Sequence, residues 1–343
     1  MSKQVYYIFF FISFLCFESI SAQVGGEKVY QFLNISTSAR QTALGGKALT
    51  LFDDVNQPLW NPSTINDRMD RLLGVNYTSY LNGIQIGSVT YATQLSRNLG
   101  TFHTSVQYLN YGSLIAADEN GNETGTFNAS DIAISAGYAL SLPWRDFYAG
   151  ANIKLISSSI GTYNSFGVAA DLAISYYNPY NPLALSFVIR NLGSQLTTYS
   201  GVNEQLPLEI MLGGSYQLEN VPLKWFVTLD NLQQWDVSVS NPSNQTSDID
   251  GNITEENINF FNNAIRHFVI GAELFSDRAI NIRLGYNFRR AKELQLQNIR
   301  AFGGISFGLG IKMNRFAFNY AFSKVHAASN VSTFSLQINL DSN

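Results

Sequence analysis

From about residue 73 onward, apolar side chains recur at every second position. Ile132, Ile134, Ala136, Tyr138 and Leu140 interleave with Asp131, Ala133, Ser135, Gly137 and Ala139; Phe316, Phe318, Tyr320 and Phe322 interleave with Ala317, Asn319, Ala321 and Ser323. Successive side chains of a strand point to opposite faces, so each such segment has one apolar face and one small or polar face, whereas a helix would gather neither row on one side. About fourteen segments of this kind can be counted, at 73–80, 83–95, 100–111, 131–142, 147–159, 166–177, 183–192, 208–218, 223–239, 267–275, 279–290, 303–313, 316–324 and 332–341.

Such strands can turn their apolar rows toward another sheet or toward lipid. Charged residues make up 13% of the chain, against roughly a quarter in an ordinary soluble domain. The connections alternate between tight ones (96–99, 143–146, 178–182, 219–222, 276–278, 314–315) and longer ones, three of them long (112–130, 193–207, 240–266). Among the aromatics, Phe102, Phe147, Tyr176, Trp225 and Phe316 fall toward the tight turns, and Tyr108, Phe166 and Phe288 toward the loops. Alternating turns and loops with an aromatic girdle at each end is the signature of an outer-membrane barrel. A soluble sandwich or propeller would also show short alternating strands but explains neither feature. The expectation is therefore an all-β fold, a transmembrane antiparallel up-and-down β-barrel of about 14 strands. It would be a multi-pass protein of the cell outer membrane, with both termini periplasmic by the even strand count and the long loops extracellular.

The first residues read as an export signal: Lys3, an apolar run over 5–17, and the small residues Ser19, Ser21 and Ala22 before Gln23. That run is too short to span a bilayer comfortably. The single cysteine, Cys16, lies inside it behind a poor lipoprotein signal, so the processed chain would carry no thiol. No later apolar stretch is long enough for a membrane helix. A net charge of −4 without a basic run gives no sign of nucleic-acid binding. The expected organisation is a signal peptide over 1–22, a plug segment over 23–72, and the barrel over 73–343.

Within residues 23–72, the stretch 36–44 reads as a capped helical turn ended by Gly45-Gly46. A second short helical stretch is expected over 47–52, with turns at Asp53-Asp54 and Trp60-Asn61-Pro62. The run Ser38-Ala39-Arg40, Leu44-Gly45-Gly46, Asp53-Asp54, Trp60-Asn61-Pro62 resembles the N-terminal signature of FadL-like outer-membrane barrels. With Val24-Gly25-Gly26 and Tyr30-Gln31-Phe32-Leu33-Asn34 ahead of it, it is more closely similar to the PorQ-like components of the type IX secretion system of Bacteroidetes. The resemblance implies a 14-stranded barrel with its N-terminal segment in the lumen, acting as an anchor in a surface attachment complex. Its partners there would be a PorZ-like surface protein and PorU- and PorV-like components, and the complex would process protein cargo and link it to anionic lipopolysaccharide. The wider superfamily implies a different role, transport of small hydrophobic compounds.

No residue set points to catalysis, a metal or a cofactor. His103, His267 and His326 are scattered, and His103 falls on the inward row, where a lumen hydrogen bond is the ordinary role. Asp118, Asn120, Asp248, Asp250, Asn252 and Glu255 suggest calcium but lack the twelve-residue loop pattern, so a solvated loop is the better reading. Inward charges are more informative. Lys154 and Asp171 lie equally far from the centre of the 161–164 connection, and Glu273 and Arg283 are similarly placed about Asp277-Arg278, so each pair is expected to meet inside the barrel. Directly opposed charges stabilise a ladder by roughly 0.2–1 kcal/mol. A ring of charges selecting ions is the competing reading. Because Gly, Ala and Ser dominate the inward rows, a filled lumen is preferred, and an apolar carrier pocket is disfavoured. On the long loops, Phe260-Phe261 is the candidate partner contact, and Trp235 reads as a girdle residue.

Overall fold

Backbone N–H and C=O groups have no water to pair with in hydrocarbon, so a spanning sheet must close on itself. The computed structural model closes that ladder with fourteen antiparallel strands. It describes residues 28–96, 100–237, 259–294, 303–326 and 329–341, plus the backbone of a short ladder pairing Thr246–Ser247 with Ile253–Thr254. In chain order the barrel strands are β1 (Leu72–Ser79), β2 (Gln85–Ser96), β3 (Gly100–Ala117), β4 (Glu123–Ser141), β5 (Phe147–Ile160), β6 (Tyr163–Tyr177) and β7 (Leu183–Thr197). They continue as β8 (Glu209–Gln217), β9 (Leu223–Leu229), β10 (Phe268–Leu274), β11 (Ile280–Asn287), β12 (Ile305–Lys312), β13 (Phe316–His326) and β14 (Ser329–Asn339). Each strand pairs with its sequence neighbours, and β1 closes the ring by pairing with β14, Leu72 opposite Asn339 and Ser79 opposite Ser332.

Every expected segment corresponds to one strand, but several boundaries move, β7 among them, which runs on to Thr197 rather than 192. The 112–130 loop is largely strand: Ser113 pairs with Asn128 and Ile115 with Thr126, so β3 and β4 rise beyond the neighbouring wall. Side chains there are exposed on both faces, which erases the alternation a sequence reader looks for. The segment 223–239 stops at Leu229, where Asp230 is buried and Asn231 takes a left-handed φ of 51°. The segment 279–290 ends at Asn287, whose side chain accepts a hydrogen bond from the Arg290 backbone and caps helix α3 (Phe288–Glu293). The signal peptide and the acidic stretch 248–252 with Glu255 lie outside the described residues.

Residues 28–71 pack within the ring. Lys28 pairs with Gln205 in the β7–β8 connection, at the loop end. The chain then forms α1 (Ala39–Ala43) and descends to the turn end, where Phe52 stacks on Tyr177 at 4.0 Å. It climbs to Trp60-Asn61-Pro62 and returns to enter β1. Thus Leu72 and Asn339 share one end, as an even strand count requires, but Lys28 sits at the other. Gly45 and Gly46, at φ of 90° and 91°, close α1 with bonds from Gly45 N to Thr42 O and Gly46 N to Gln41 O. Ser38 does not cap the helix through its side chain. Ser335 of β14 does that instead, accepting from the Ala39 backbone at 2.8 Å. The expected helix over 47–52 is absent, because barrel and segment side chains take up its carbonyls: Thr228 donates to Lys47 O, Gln57 to Ala48 O and Asn61 to Leu49 O.

The small inward residues are what let this segment approach. A Cβ on Gly285 would stand 2.1 Å from Gly45 N, and one on Gly150 would stand 2.3 Å from the Pro62 carbonyl carbon. Overpacking of this kind costs about 1–3 kcal/mol. Gly285→Ala and Gly150→Ala should therefore each lower unfolding stability in detergent by at least ~1 kcal/mol. Gly87→Ala, where the nearest atom would be 3.8 Å away, should be close to neutral in the same urea titration.

Candidate functional site

The luminal segment meets the inward rows of the wall through hydrogen bonds and two buried groups of charges, and a further group joins strands of the wall to one another. Asn61 sits at its middle: its amide donates to Leu49 O, Ser175 and Ser186. Asn56 accepts from Asn76 and Thr90. His103 is fully buried, with Nε2 3.0 Å from Val55 O, a structural bond between wall and segment. His267 is likewise bonded to backbone, at Asp230 O and Trp235 O. The Asp118 carboxylate is taken up by its own turn, accepting from the Asn120 and Asn122 backbones.

Near the turn end, Arg40 reaches Asp53 and Glu273, each at 2.8 Å, and Glu273 also holds Arg283 at 2.7 Å. Arg283 donates in turn to Asn319 of β13 at 2.7 Å. Glu273 and Arg283 are directly opposed on β10 and β11. Lys154 and Asp171 also meet, at 2.7 Å, but not squarely across the ladder. The β5–β6 turn has only two residues, with Ile160 opposite Tyr163, so Asn152 faces Asp171 and the lysine reaches it diagonally. Asn191 completes that group, accepting from Lys154 at 2.8 Å and donating its backbone N–H to Asp171 at 2.9 Å. Because Glu273, Arg283, Lys154 and Asp171 are all buried, these pairs carry more weight than exposed cross-strand charges.

The third group escaped the sequence reading. Lys47 contacts Glu209 and lies 2.6 Å from Asp230; Arg190 joins Glu209 at 3.1 Å, and Arg289 joins Asp230 at 3.5 Å. The Arg190 guanidinium also lies 3.8 Å over the Trp60 ring and donates to Leu33 O. The parity of β7 puts Arg190 on the inward row with Ser186 and Val188, which was the available signal. Nothing in the spacing ties it to Lys47. Of the signature residues, Arg40, Asp53, Trp60 and Asn61 make these contacts, Gly45 and Gly46 shape α1, and Pro62 starts a short 3-10 turn against Gly150. Asp54 accepts from the Asn56 backbone.

The arrangement leaves little room. A void of about 10 Å³ lined by Leu33, Trp60, Gln107, Lys154 and Arg190 holds one water at most. At the turn end a charged basin of about 280 Å³ is lined by Arg40, Asp53, Arg68, Arg283, Lys312 and Arg315. At the loop end, Tyr30, Phe32 and Leu33 fill the space between inward Ile86, Leu109 and Ile156. The geometry is that of a static lock between segment and wall.

A sequence profile described as "Type IX secretion system protein PorV" matches residues 27–220, more than half of the chain. The chain belongs to that family. The match takes in the luminal segment and β1 to β8. No curated protein matches significantly. Two solved barrels share the fold. One is the TodX monoaromatic hydrocarbon channel (deltaS2 mutant), 14% identical over 90% of this chain and 98% of its own, with a TM-score of 0.53. The other is the Ralstonia pickettii toluene transporter TbuX, 12% identical over 91% and 100%, with a TM-score of 0.54. At such identities they speak for the fold alone, a closed antiparallel β-barrel.

Two measurements test the lock. Removing one partner of a buried ion pair costs about 3–5 kcal/mol, so Glu273→Gln should destabilise by roughly that amount. Double-mutant cycles on Arg40/Glu273 and on Lys47/Glu209, the pairs that join segment to wall, should each return a coupling above ~1 kcal/mol; additivity in both would remove the lock. Burial alone would raise the Asp53 carboxyl, but Arg40, Lys312 and Lys224 outweigh it and hold it below the usual carboxylate range. A depressed acid stabilises above its unfolded pKa and loses that contribution as pH falls. Wild type should therefore lose stability relative to Asp53→Asn as pH drops below ~4. The margin is small, because the Asp53 side chain is 46% exposed.

Proposed function

We propose that this chain is a non-enzymatic anchoring barrel, of the PorQ type within its family, that holds a PorZ-like surface protein in the type IX secretion attachment complex. In this reading the turn end is periplasmic and the loop end extracellular. Residues 28–71 act as a plug. A PorU-like component and a second, PorV-like barrel distinct from this chain work beside it, as cargo is processed and attached to anionic lipopolysaccharide. The observation that carries the reading is the occupied lumen. A segment locked by buried ion pairs to β8 and β10 leaves the outer surface as the place where the protein acts. Membership of a secretion family favours a protein partner there.

The loop end offers such a surface. Phe260 and Phe261 are 64% and 75% exposed on helix α2 (Phe260–Arg266), with Trp235 stacked on Phe260 at 4.9 Å and on His267 at 5.4 Å. Trp235 thus belongs to this patch rather than standing alone as a girdle residue. Aromatic anchors dominate binding energy at interfaces. Phe260→Ser/Phe261→Ser should weaken capture of the PorZ-like partner about tenfold or more, as should deletion of residues 243–256. The barrel should still insert in both cases. Unchanged co-purification of the partner in both variants would overturn the docking reading.

Transport of small hydrophobic compounds is the second reading, supported by the fold shared with TodX and TbuX and by the apolar cluster around Phe32 at the loop end. It requires that cluster to open. Uptake of toluene into liposomes carrying the barrel, at a rate raised by Phe32→Ala, would favour it; no uptake above protein-free liposomes favours docking.

A further inference from the structure

The outer wall is not uniform. Large side chains cover most of it, but on β5 two consecutive outward positions are Ala149 and Ala151. The ladder sets Leu140 and Ile174 beside Ala149, and Tyr138 and Leu172 beside Ala151. Phe187 and Ile189 of β7 continue the two rows. The pair of alanines therefore forms the floor of a trough about one strand wide, with a volume of about 480 Å³ and walls almost wholly apolar. That lies within the range of ligand sites, about 300–1,000 Å³. Toward the turn end the next outward residue of β5 is Phe147, packed against Tyr176 at 5.4 Å. Immediately beyond, the β4–β5 turn carries Trp144 and Arg145, whose side chain is 90% exposed and stands 3.8 Å from the Asp146 carboxylate.

We propose that this trough is a binding site for one acyl chain of an anionic glycerophospholipid, with the headgroup phosphate at Arg145. Depth, shape and charge argue for this occupant together. The trough lies in the band of outward apolar residues, which faces hydrocarbon. Its floor is one strand wide, room for a single chain and too narrow for a packed helix. The aromatic pair and Trp144 mark the interface level, where a headgroup begins, and the one cation at that level on this hairpin is Arg145. The floor is also backed from inside: Gly150, between the two alanines, packs directly against Pro62 and Ser63 of the luminal segment. The trough floor is thereby held by the same contacts that hold that segment.

The test uses the full-length barrel in nanodiscs containing phosphatidylglycerol with a photoactivatable acyl chain, and maps the crosslinks by mass spectrometry. Crosslinks should concentrate on Ala149, Ala151 and Leu172, at least fivefold over Leu284, Phe307 and Leu309 on the β11–β12 wall. Ala149→Phe/Ala151→Phe, both lipid-facing, should abolish the excess while leaving the β11–β12 signal. Arg145→Gln should lower it about fivefold, the weight of one arginine near an anionic surface, and replacing the headgroup by phosphatidylcholine should do the same. Even labelling of the two walls, or an excess that survives filling of the trough, would overturn the site. A barrel unlabelled on both walls would overturn membrane insertion as well.

Discussion

Hydrocarbon offers no partner to a peptide group, and everything else in this molecule follows from the ladder that removes the need for one. Closing β14 onto β1 satisfies the backbone of the wall and abolishes sheet edges. Once closed, the strands have no freedom over which face looks out: the apolar row meets lipid, and the opposite row is sent inward. The interior is therefore polar by consequence. A polar interior wide enough for fourteen strands must hold water or protein, and here it holds the chain's own residues 28–71.

That choice explains the inward composition. Glycine at 150, 285 and 308 brings the wall within contact of Pro62, Gly45 and Ala43. Serines then bridge to the segment's backbone, as Ser306 does by accepting from Gly45 N and donating to Ala43 O. Burying charges between wall and segment is expensive unless each is paired. Glu273 is met by two arginines, Glu209 by Lys47 and Arg190, and Asp171 by Lys154 and the Asn191 backbone. Displacing the segment would take Arg40 from Glu273 and Lys47 from Glu209 and Asp230 at once, so the filled lumen is cooperative rather than loosely stuffed.

The sequence carried the wall well and the filling poorly, for a physical reason. Inside the bilayer the two faces of a strand meet different solvents, so β5, β6 and β13 announce themselves by period. Where β3 and β4 rise past that zone both faces meet the same solvent, and Leu114 to Ala117 look like a loop. Parity also put Glu273 and Arg283 on one inward row, but it could not fix turn length, so Lys154 and Asp171 were placed squarely opposite when the register sets them diagonally. The luminal segment has no period at all. Its shape follows from distant side chains, such as Thr228 and Ser335 taking up its backbone groups. For that reason a helix was expected at 47–52 where none forms, and the contact of Lys47 with Glu209 could not be foreseen.

A barrel filled in this way resolves the tension between its fold and its family. The hydrocarbon barrels whose fold it shares and the secretion family to which it belongs suggest different uses of one architecture. The difference lies in what occupies the interior at the loop end. There Phe32, fully buried, sits against Ile86, Leu109 and Ile156, an apolar stretch of the inward rows. A carrier would need that space for its cargo, whereas an anchor gains by filling it, because the apolar cluster fixes the N-terminal residues beneath the loops.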